Sequence, residues 1–209
     1  MADLEALTAA VEAGDRATAV AITREAVAEG MDPETVLGAM TAAMEVIGHR
    51  FQCNEIYVPE MLISARAMKE ATAVLEPVLT AAGVRPEHTA VVGTIKGDLH
   101  DIGKNLVAMM WKGANIEVVD LGTNVSPEAF VAAAKEHGAS LVGVSALLTT
   151  TMVGMKDVVA AVRAELPGVK VLVGGAPVTA EYAASIGADG YAPDAASAVG
   201  VAKAAVGAA

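Results

Sequence analysis

Thr89-Ala90-Val91-Val92-Gly93-Thr94-Ile95-Lys96-Gly97-Asp98-Leu99-His100-Asp101-Ile102-Gly103-Lys104-Asn105 is the stretch in which the chain changes its period. It opens as an apolar strand, Thr89 to Thr94, breaks into a polar loop bracketed by glycines, and resumes at about Gly103 with helical spacing to Lys112. The same strand, loop and helix succession recurs downstream. Strands are expected at Ile116 to Asp120, Leu141 to Ser145, Val169 to Val173 and Gly190 to Ala192. Helices are expected at Pro127 to His137, Met152 to Glu165, Thr179 to Ile186, and from about Ala195 into the tail. Five such units in residues 89 to 209, with nearly continuous apolar strands, predict an open parallel sheet covered by helices on both faces.

Upstream of this stretch the period is that of helices. Leu4, Leu7 and Val11 form one stripe. Asp15 is placed to cap a second helix that runs to about Glu29 and stops at Gly30. Asp32-Pro33 restarts the chain, a cap followed by proline at the first helical position. Val36, Leu37, Met40, Met44 and Ile47 then recur at steps of three and four. After the polar break Gln52-Cys53-Asn54-Glu55, a fourth helix is expected from about Pro59 to Thr80, with Met61, Leu62, Ala65, Met68, Ala71, Thr72 and Leu75 along one side. Short connections between four helices predict a bundle. The expected organisation is a helical bundle over 1–83, a linker over 84–88 and a wound sheet over 89–209.

Composition narrows the function. Hydrophobic residues make up 54% of the chain, mostly alanine and valine, and aromatics 3%, so the core is built from small side chains. A net charge of −11 without any basic run argues against nucleic acid and anionic membrane as partners. The single cysteine, Cys53, excludes an internal disulfide framework and a multi-cysteine metal site. The acidic, amphipathic start does not resemble a signal peptide, and no apolar run reaches the ~20 residues of a membrane span. The expected location is the cytoplasm.

In wound sheets of this kind ligands bind beyond the carboxyl ends of the strands, where strand order reverses, here between the first and third strands. The first of these loops sets His100 between Asp98 and Asp101. A metal-ligating histidine commonly donates its other ring N–H to a carboxylate, and Asp98 is placed for that, while Asp101 could cap the following helix. Taken alone, His100 reads as an exposed loop histidine. None of His49, His88 or His137 has ligand spacing to it, so a metal held here needs its other ligands from a macrocycle. The second loop, Ser145-Ala146-Leu147-Leu148-Thr149-Thr150-Thr151-Met152, carries four hydroxyls in seven residues, more than one helix cap requires. The fourth strand ends in Gly174-Gly175, which lets a ligand or another backbone come close. Neither G-x-G-x-x-G nor a P-loop lysine is present.

The string Asp98-x-His100-x-x-Gly103, then Ser145-x-Leu147, then Gly174-Gly175, resembles the signature of cobalamin-binding domains that hold the cofactor base-off with histidine on the cobalt. Tyr57 to Lys69 in the bundle is similar to the cap of the methyl-carrying members: the cobalamin module of methionine synthase and the corrinoid proteins of methanol, methylamine, glycine betaine and aryl-ether methyltransferase systems. The resemblance covers nearly the whole chain and implies a helical cap on a flavodoxin- or Rossmann-like five-stranded domain.

It also implies roles. His100 would be the lower axial ligand of cobalt, with Asp98 and Thr151 completing a relay in which the family usually has serine where this chain has Thr151. Gly97, Leu99, Asp101, Ile102 and Gly103 would surround the cofactor beside them. Ser145 and Thr149 would hydrogen-bond the displaced nucleotide tail, and Leu147, Gly174, Gly175 and Ala195 would line its slot. Phe51 and Val58 would cover the upper face. The implied function is a methyl carrier, cycling between Co(I) and methyl-Co(III) rather than catalysing alone. Its implied partners are a TIM-barrel substrate methyltransferase, a second methyltransferase to tetrahydrofolate or coenzyme M, and a reductive activator. Gly83 to His88 would be a hinge for the cap. The alternative is an adenosylcobalamin module of a mutase or a B12-dependent sensor. Mutase modules normally lack such a cap, and the light sensors carry a DNA-binding segment and a tryptophan over the upper face, whereas Trp111 here lies on the helix after the ligand loop.

Overall fold

Three aspartates set the beginnings of the first three helices. Asp3 accepts the Ala6 N–H at 3.1 Å, Asp15 the Thr18 N–H at 3.1 Å and Asp32 the Thr35 N–H at 2.9 Å. Each satisfies a backbone donor that a helix start leaves unpaired. In the computed structural model, which describes residues 1–84 and 86–207, they open α1 (Leu4–Glu12), α2 (Arg16–Ala28) and α3 (Pro33–Gln52). The fourth helix, α4 (Val58–Ala81), starts one residue earlier than its proline suggested; there the Glu60 carboxylate accepts the Tyr57 N–H at 3.1 Å. Arg85 of the expected linker, and Ala208 and Ala209 of the tail, lie outside the described residues.

The chain divides into two compact units, Met1–Pro86 with Gly113–Asn115, and Glu87–Lys112 with Ile116–Ala209. In the helical unit α1 packs on α3 and α2 on α4. Leu7, Val11, Val36, Met40, Met44, Ile47, Met61, Met68 and Leu75 are buried. Leu62, expected on the inner side of α4, faces outward instead. Met61 and Ala65 take the inward positions, and one residue further on is about 100° around the helix. Polar ties within the bundle run from the Ser64 hydroxyl to the Glu12 carbonyl at 2.9 Å and from the Thr8 hydroxyl to the Ala39 carbonyl at 3.1 Å. No helix among the described residues is long and apolar enough to cross a membrane.

The second unit is a five-stranded, all-parallel sheet in the order β2-β1-β3-β4-β5, formed by β1 (His88–Thr94), β2 (Ile116–Asp120), β3 (Leu141–Ser145), β4 (Lys170–Gly174) and β5 (Gly190–Ala192). The helices are α5 (Ile102–Gly113), α6 (Pro127–Glu136), α7 (Thr149–Met152), α8 (Met155–Glu165), α9 (Ala180–Ile186) and α10 (Ser197–Val206). One face of the sheet presents Val91, Val142, Val144, Val171 and Val173 to α6, α8 and α9; the other presents Ala90, Val92, Leu141 and Leu172 to α5 and α10. Two strand glycines make room for the largest side chains. A Cβ on Gly93 would lie 2.8 Å from the Phe130 ring, and one on Gly143 would lie 2.8 Å from the Trp111 ring. Trp111 is buried and donates its indole N–H to the Ala198 carbonyl at 3.0 Å, so it belongs to the core.

The helix expected from Met152 to Glu165 is α8, which begins at Met155; a separate short helix, α7, precedes it and ends at Met152, with Val153-Gly154 between them. The Met152 carbonyl, which an uninterrupted helix would offer to position 156, accepts the Tyr182 hydroxyl at 2.6 Å. The expected fourth strand is displaced by one residue, so Gly174 is inside β4, paired with Ser145 of β3 and Ala192 of β5.

Candidate functional site

Strand order reverses between β1 and β3, and Thr94 of β1 pairs with Ser145 of β3 where both strands end. The loops that leave these two positions therefore start side by side, as the switch-point rule requires. Asp98, in the first loop, is fully buried. Its carboxylate accepts five hydrogen bonds. Oδ1 receives the His100 backbone N–H at 3.0 Å and the His100 ring Nδ1 at 2.7 Å; Oδ2 receives the Leu147 N–H at 2.8 Å, the Leu148 N–H at 3.3 Å and the Thr151 hydroxyl at 2.8 Å. Burial pushes this carboxyl up, but the backbone donors of Leu147 and His100, with the His100 ring and the Thr151 hydroxyl, outweigh it and hold the group well below the usual carboxylate range.

The ionised state of Asp98 settles the histidine tautomer. A carboxylate only accepts, so the bond to Asp98 takes its proton from Nδ1 and leaves Nε2 as the nitrogen turned away from it. Nε2 has no protein partner among the described residues, and the His100 side chain is 51% exposed. The Thr151 hydroxyl also lies 3.1 Å from the Leu148 carbonyl; the charged acceptor is the stronger of the two. The α7–α8 break gives the short α7 turn that carries Thr151 its own anchorage through Tyr182.

Around His100 the surface is apolar. Leu99, Ile102, Leu147, Leu148 and Val153 are the exposed large hydrophobic residues of this unit among those described, and all five lie on the two loops and the helix starts that follow them. Such grouping marks a binding surface rather than chance exposure. Gly103, at the start of α5, has neither a positive φ nor any atom within 4 Å of the place a Cβ would take, so the chain itself does not demand glycine there. No group of three or more histidine, cysteine or carboxylate side chains among the described residues could hold a bare ion.

The remaining expected site residues are distributed unevenly. The half-buried Ser145 and exposed Thr149 hydroxyls have no protein partner among the described residues. Gly174 and Gly175 face backbone: a Cβ on Gly175, where φ is +124°, would lie 1.8 Å from the Ala146 carbonyl oxygen, and one on Gly174 3.2 Å from that of Ala192. Ala195 is buried after β5. Asp101 does not cap α5 with its side chain; its carboxylate accepts the Asn105 side-chain amide at 3.1 Å. Phe51, near the end of α3, and Val58, the first residue of α4, are each half-buried in the helical unit.

Sequence reasoning missed the β2 side of the site. The Lys104 ammonium is buried and bonded to Asp120 Oδ1 at 2.6 Å, Asp120 Oδ2 at 2.5 Å and Asn105 Oδ1 at 2.6 Å. Asn124 accepts the Gly97 N–H, and the Thr94 hydroxyl donates to the His100 carbonyl at 2.9 Å. The signal available was Asp120-Leu121-Gly122-Thr123-Asn124, a second polar, glycine-containing turn at the end of the strand next to β1.

Known proteins match along the whole length. One B12 binding domain model matches residues 88–200 and a second B12 binding domain model residues 3–76. A corrinoid protein of Desulfitobacterium hafniense is 39% identical over 209 residues, 97% of each chain, and dimethylamine corrinoid protein 3 of Methanosarcina acetivorans is 37% identical over 97% of this chain and 98% of its own. Among solved structures, a cobalamin-binding protein from D. hafniense superposes with a TM-score of 0.82 at 28% identity, covering 99% of this chain and 100% of its own. The methanol:cobalamin methyltransferase complex of Methanosarcina barkeri superposes with a TM-score of 0.86 at 27% identity, covering 99% and 80%. With both of its units matched and a buried carboxylate presenting one histidine nitrogen from an apolar surface, this chain belongs to the B12-binding corrinoid proteins.

Proposed function

We propose that the protein is a methyl carrier that holds its corrinoid base-off, with His100 as the lower axial ligand of cobalt. When bound, the corrinoid cobalt supplies the chemistry of accepting a methyl group from one partner and giving it to another. The observation that carries the reading is the Asp98–His100 bond: it fixes the proton on Nδ1 and leaves Nε2, half exposed and unpaired, as the donor. The site fits a metal already held by a macrocycle, since the protein offers one nitrogen and an apolar surface, with no group of three or more ligand side chains among the described residues.

The other residues act on that nitrogen. Asp98 orients the ring and keeps its ligand tautomer, and Thr151 helps hold Asp98. Asp98 would keep hold of the ring through the same Nδ1 bond whether or not Nε2 is engaged. Ser145 and Thr149 offer their free hydroxyls to the nucleotide tail, Leu147, Gly174, Gly175 and Ala195 flank its slot, and Leu99, Ile102 and Gly103, with Gly97 and Asp101, form the seat of the ring. Partners are a substrate methyltransferase of barrel type, a second methyltransferase acting toward tetrahydrofolate or a thiol such as coenzyme M, and a reductive activator, all in the cytoplasm. The M. barkeri methyltransferase complex supports the first of these, and the relatives named for dimethylamine and trimethylamine support a methylated amine as the donor.

The test is reconstitution with hydroxocobalamin and a visible absorption spectrum, on the parent and on His100→Ala. The parent is expected to give a histidine-ligated spectrum and the variant to lose it and release the corrinoid more readily. An unchanged spectrum in the variant overturns the assignment of the ligand.

A further inference from the structure

The loop that carries His100 is gripped from both flanks. On the β3 side the grip is on the Asp98 carboxylate. On the β2 side it is on the Asp98 backbone, and a single residue provides it. Asn124 Oδ1 accepts the Gly97 N–H at 2.8 Å, and the Asn124 N–H donates to the Asp98 carbonyl at 3.0 Å. We infer that Asn124 is a positioning residue for the ligand histidine: it clamps the Gly97–Asp98 pair so that Asp98 meets the His100 ring and the Thr151 hydroxyl together. The inference builds on the reading of His100 as the cobalt ligand.

The need for a clamp follows from Gly97. Its φ is +85°, and only the Thr151 methyl, 3.6 Å away, lies near the place of its missing Cβ. A glycine peptide can reorient at little cost. Asp98 follows it directly, and within the loop its backbone N–H is held by the Ile95 carbonyl at 3.1 Å. Rotation of the 97–98 peptide would swing Asp98, whose two carboxylate oxygens are committed in different directions. Asn124 is itself held. Val125 N–H donates to the Thr94 carbonyl at 2.9 Å, and Ile95 and Val125 form a parallel bridge that extends the β1–β2 ladder past the strand ends. The Asn124 φ of +57° is left-handed, a region that asparagine tolerates better than most side chains. Both of its contacts to the loop thus come from a fixed frame.

Three variants test the assignment. Asn124→Gly keeps the left-handed backbone and removes the acceptor. Asn124→Ser, whose hydroxyl stops short of Gly97, is a second removal should the first fail to fold. Asn124→Asp keeps the acceptor. Without corrinoid, amide exchange at Gly97 and the ¹⁵N signals of the His100 ring are read by NMR; hydroxocobalamin is then added for the spectrum and dissociation constant. Loss of the acceptor is expected to speed Gly97 exchange, to lower the Nδ1–H share of the ring, and to weaken hydroxocobalamin binding by roughly 10-fold, the lower end for residues that orient a metal ligand. Asn124→Asp is expected to restore the parent behaviour. Faster Gly97 exchange with a parental ring signal, or an Asp variant indistinguishable from Gly, overturns the assignment. If the parent itself shows no histidine-ligated spectrum, the ligation reading fails, and the corrinoid-free signals still decide the role of Asn124.

Discussion

On either side of β1 the protein builds an acid–base pair, and the two are mirror images. Toward β3, Asp98 is fully buried and its partner His100 is 51% exposed; toward β2, the Lys104 side chain is 3% exposed and its partner Asp120 37%. The Lys104 ammonium spends its donors on Asp120 and Asn105, inside the protein. His100 spends one nitrogen on the protein and keeps the other. The difference separates a closed pair from an open one. A buried base with an exposed acid fastens α5 to the end of β2, whereas a buried acid with an exposed base leaves one ring nitrogen at the surface. The chemistry is legible from which partner is left accessible, since both pairs have short, charge-assisted geometry.

The sharpest way to break the open pair is Asp98→Asn. The three donors at Oδ2 will draw the amide oxygen, which turns the NH2 group toward His100. The ring can then answer only as an acceptor at Nδ1, and its proton moves to Nε2, the atom proposed to meet the metal. The expected outcome is reversal of the tautomer in ¹⁵N spectra of the corrinoid-free protein and a loss of about 10–100-fold in corrinoid affinity, the range for residues that orient metal ligands. A parental tautomer in this variant would show that the ring is held by something other than Asp98.

The closed pair should respond asymmetrically. Asp120→Asn leaves the buried ammonium without its counter-charge, at a cost of about 2 kcal/mol, below the ~3–5 kcal/mol of a fully buried pair because Asp120 is partly in water. Lys104→Met leaves Asp120 able to turn to solvent and should cost less. The pH dependence has a definite sign. Burial opposes ionisation of Asp120, but the hydrogen bonds from Lys104 and the Gly122 N–H, with the charges of Lys104 and Lys112, hold its carboxyl below the ordinary value. Its contribution is therefore fully present above the unfolded value, about pH 4, and is lost as pH falls through the lower folded value. Urea melts at pH 6 and in steps below pH 4 check both points: Asp120→Asn should lack that part of the acid loss, and equal costs for the two variants would remove the asymmetry.

How much of this the sequence disclosed follows from the range of each interaction. The strands, the caps at Asp15 and Asp32, and the Asp98–His100 pair are local in sequence, within three residues or within one periodic run, and all were legible. The Asp98–Thr151 bond spans 53 positions, yet it was anticipated because a family motif carries it. Lys104–Asp120 and Gly97–Asn124 span 16 and 27 positions with no motif to join them. They follow only once β2 is known to lie beside β1. The partner of the Met152 carbonyl at the α7–α8 break was hidden for the same reason, since the Tyr182 hydroxyl comes from α9, 30 positions away. The glycine pair 174–175 was read as letting a ligand or another backbone come close, and the structure sets backbone, the carbonyls of Ala146 and Ala192, in their Cβ directions.

The open pair also has a counterpart that does nothing. In the helical unit Thr72 Oγ1 is the buried side-chain polar atom without a partner among the described residues. Like His100 Nε2 it is an unspent hydrogen-bonding group; unlike it, no solvent or ligand can reach it. A buried hydroxyl that forfeits its hydration without recovering a bond is a net cost. Thr72→Val removes the hydroxyl at nearly constant shape, and valine keeps one favoured rotamer in a helix. The expected gain is about 1 kcal/mol, read as a higher melting temperature in the corrinoid-free protein with the His100 ring signals and the hydroxocobalamin spectrum unchanged. His100→Ala should do the reverse, altering the spectrum while leaving the melting of the helical unit as it was. A loss of stability in Thr72→Val would mean that this hydroxyl is satisfied in solution, and the distinction between an idle unpaired group and a working one would then have to rest on exposure alone.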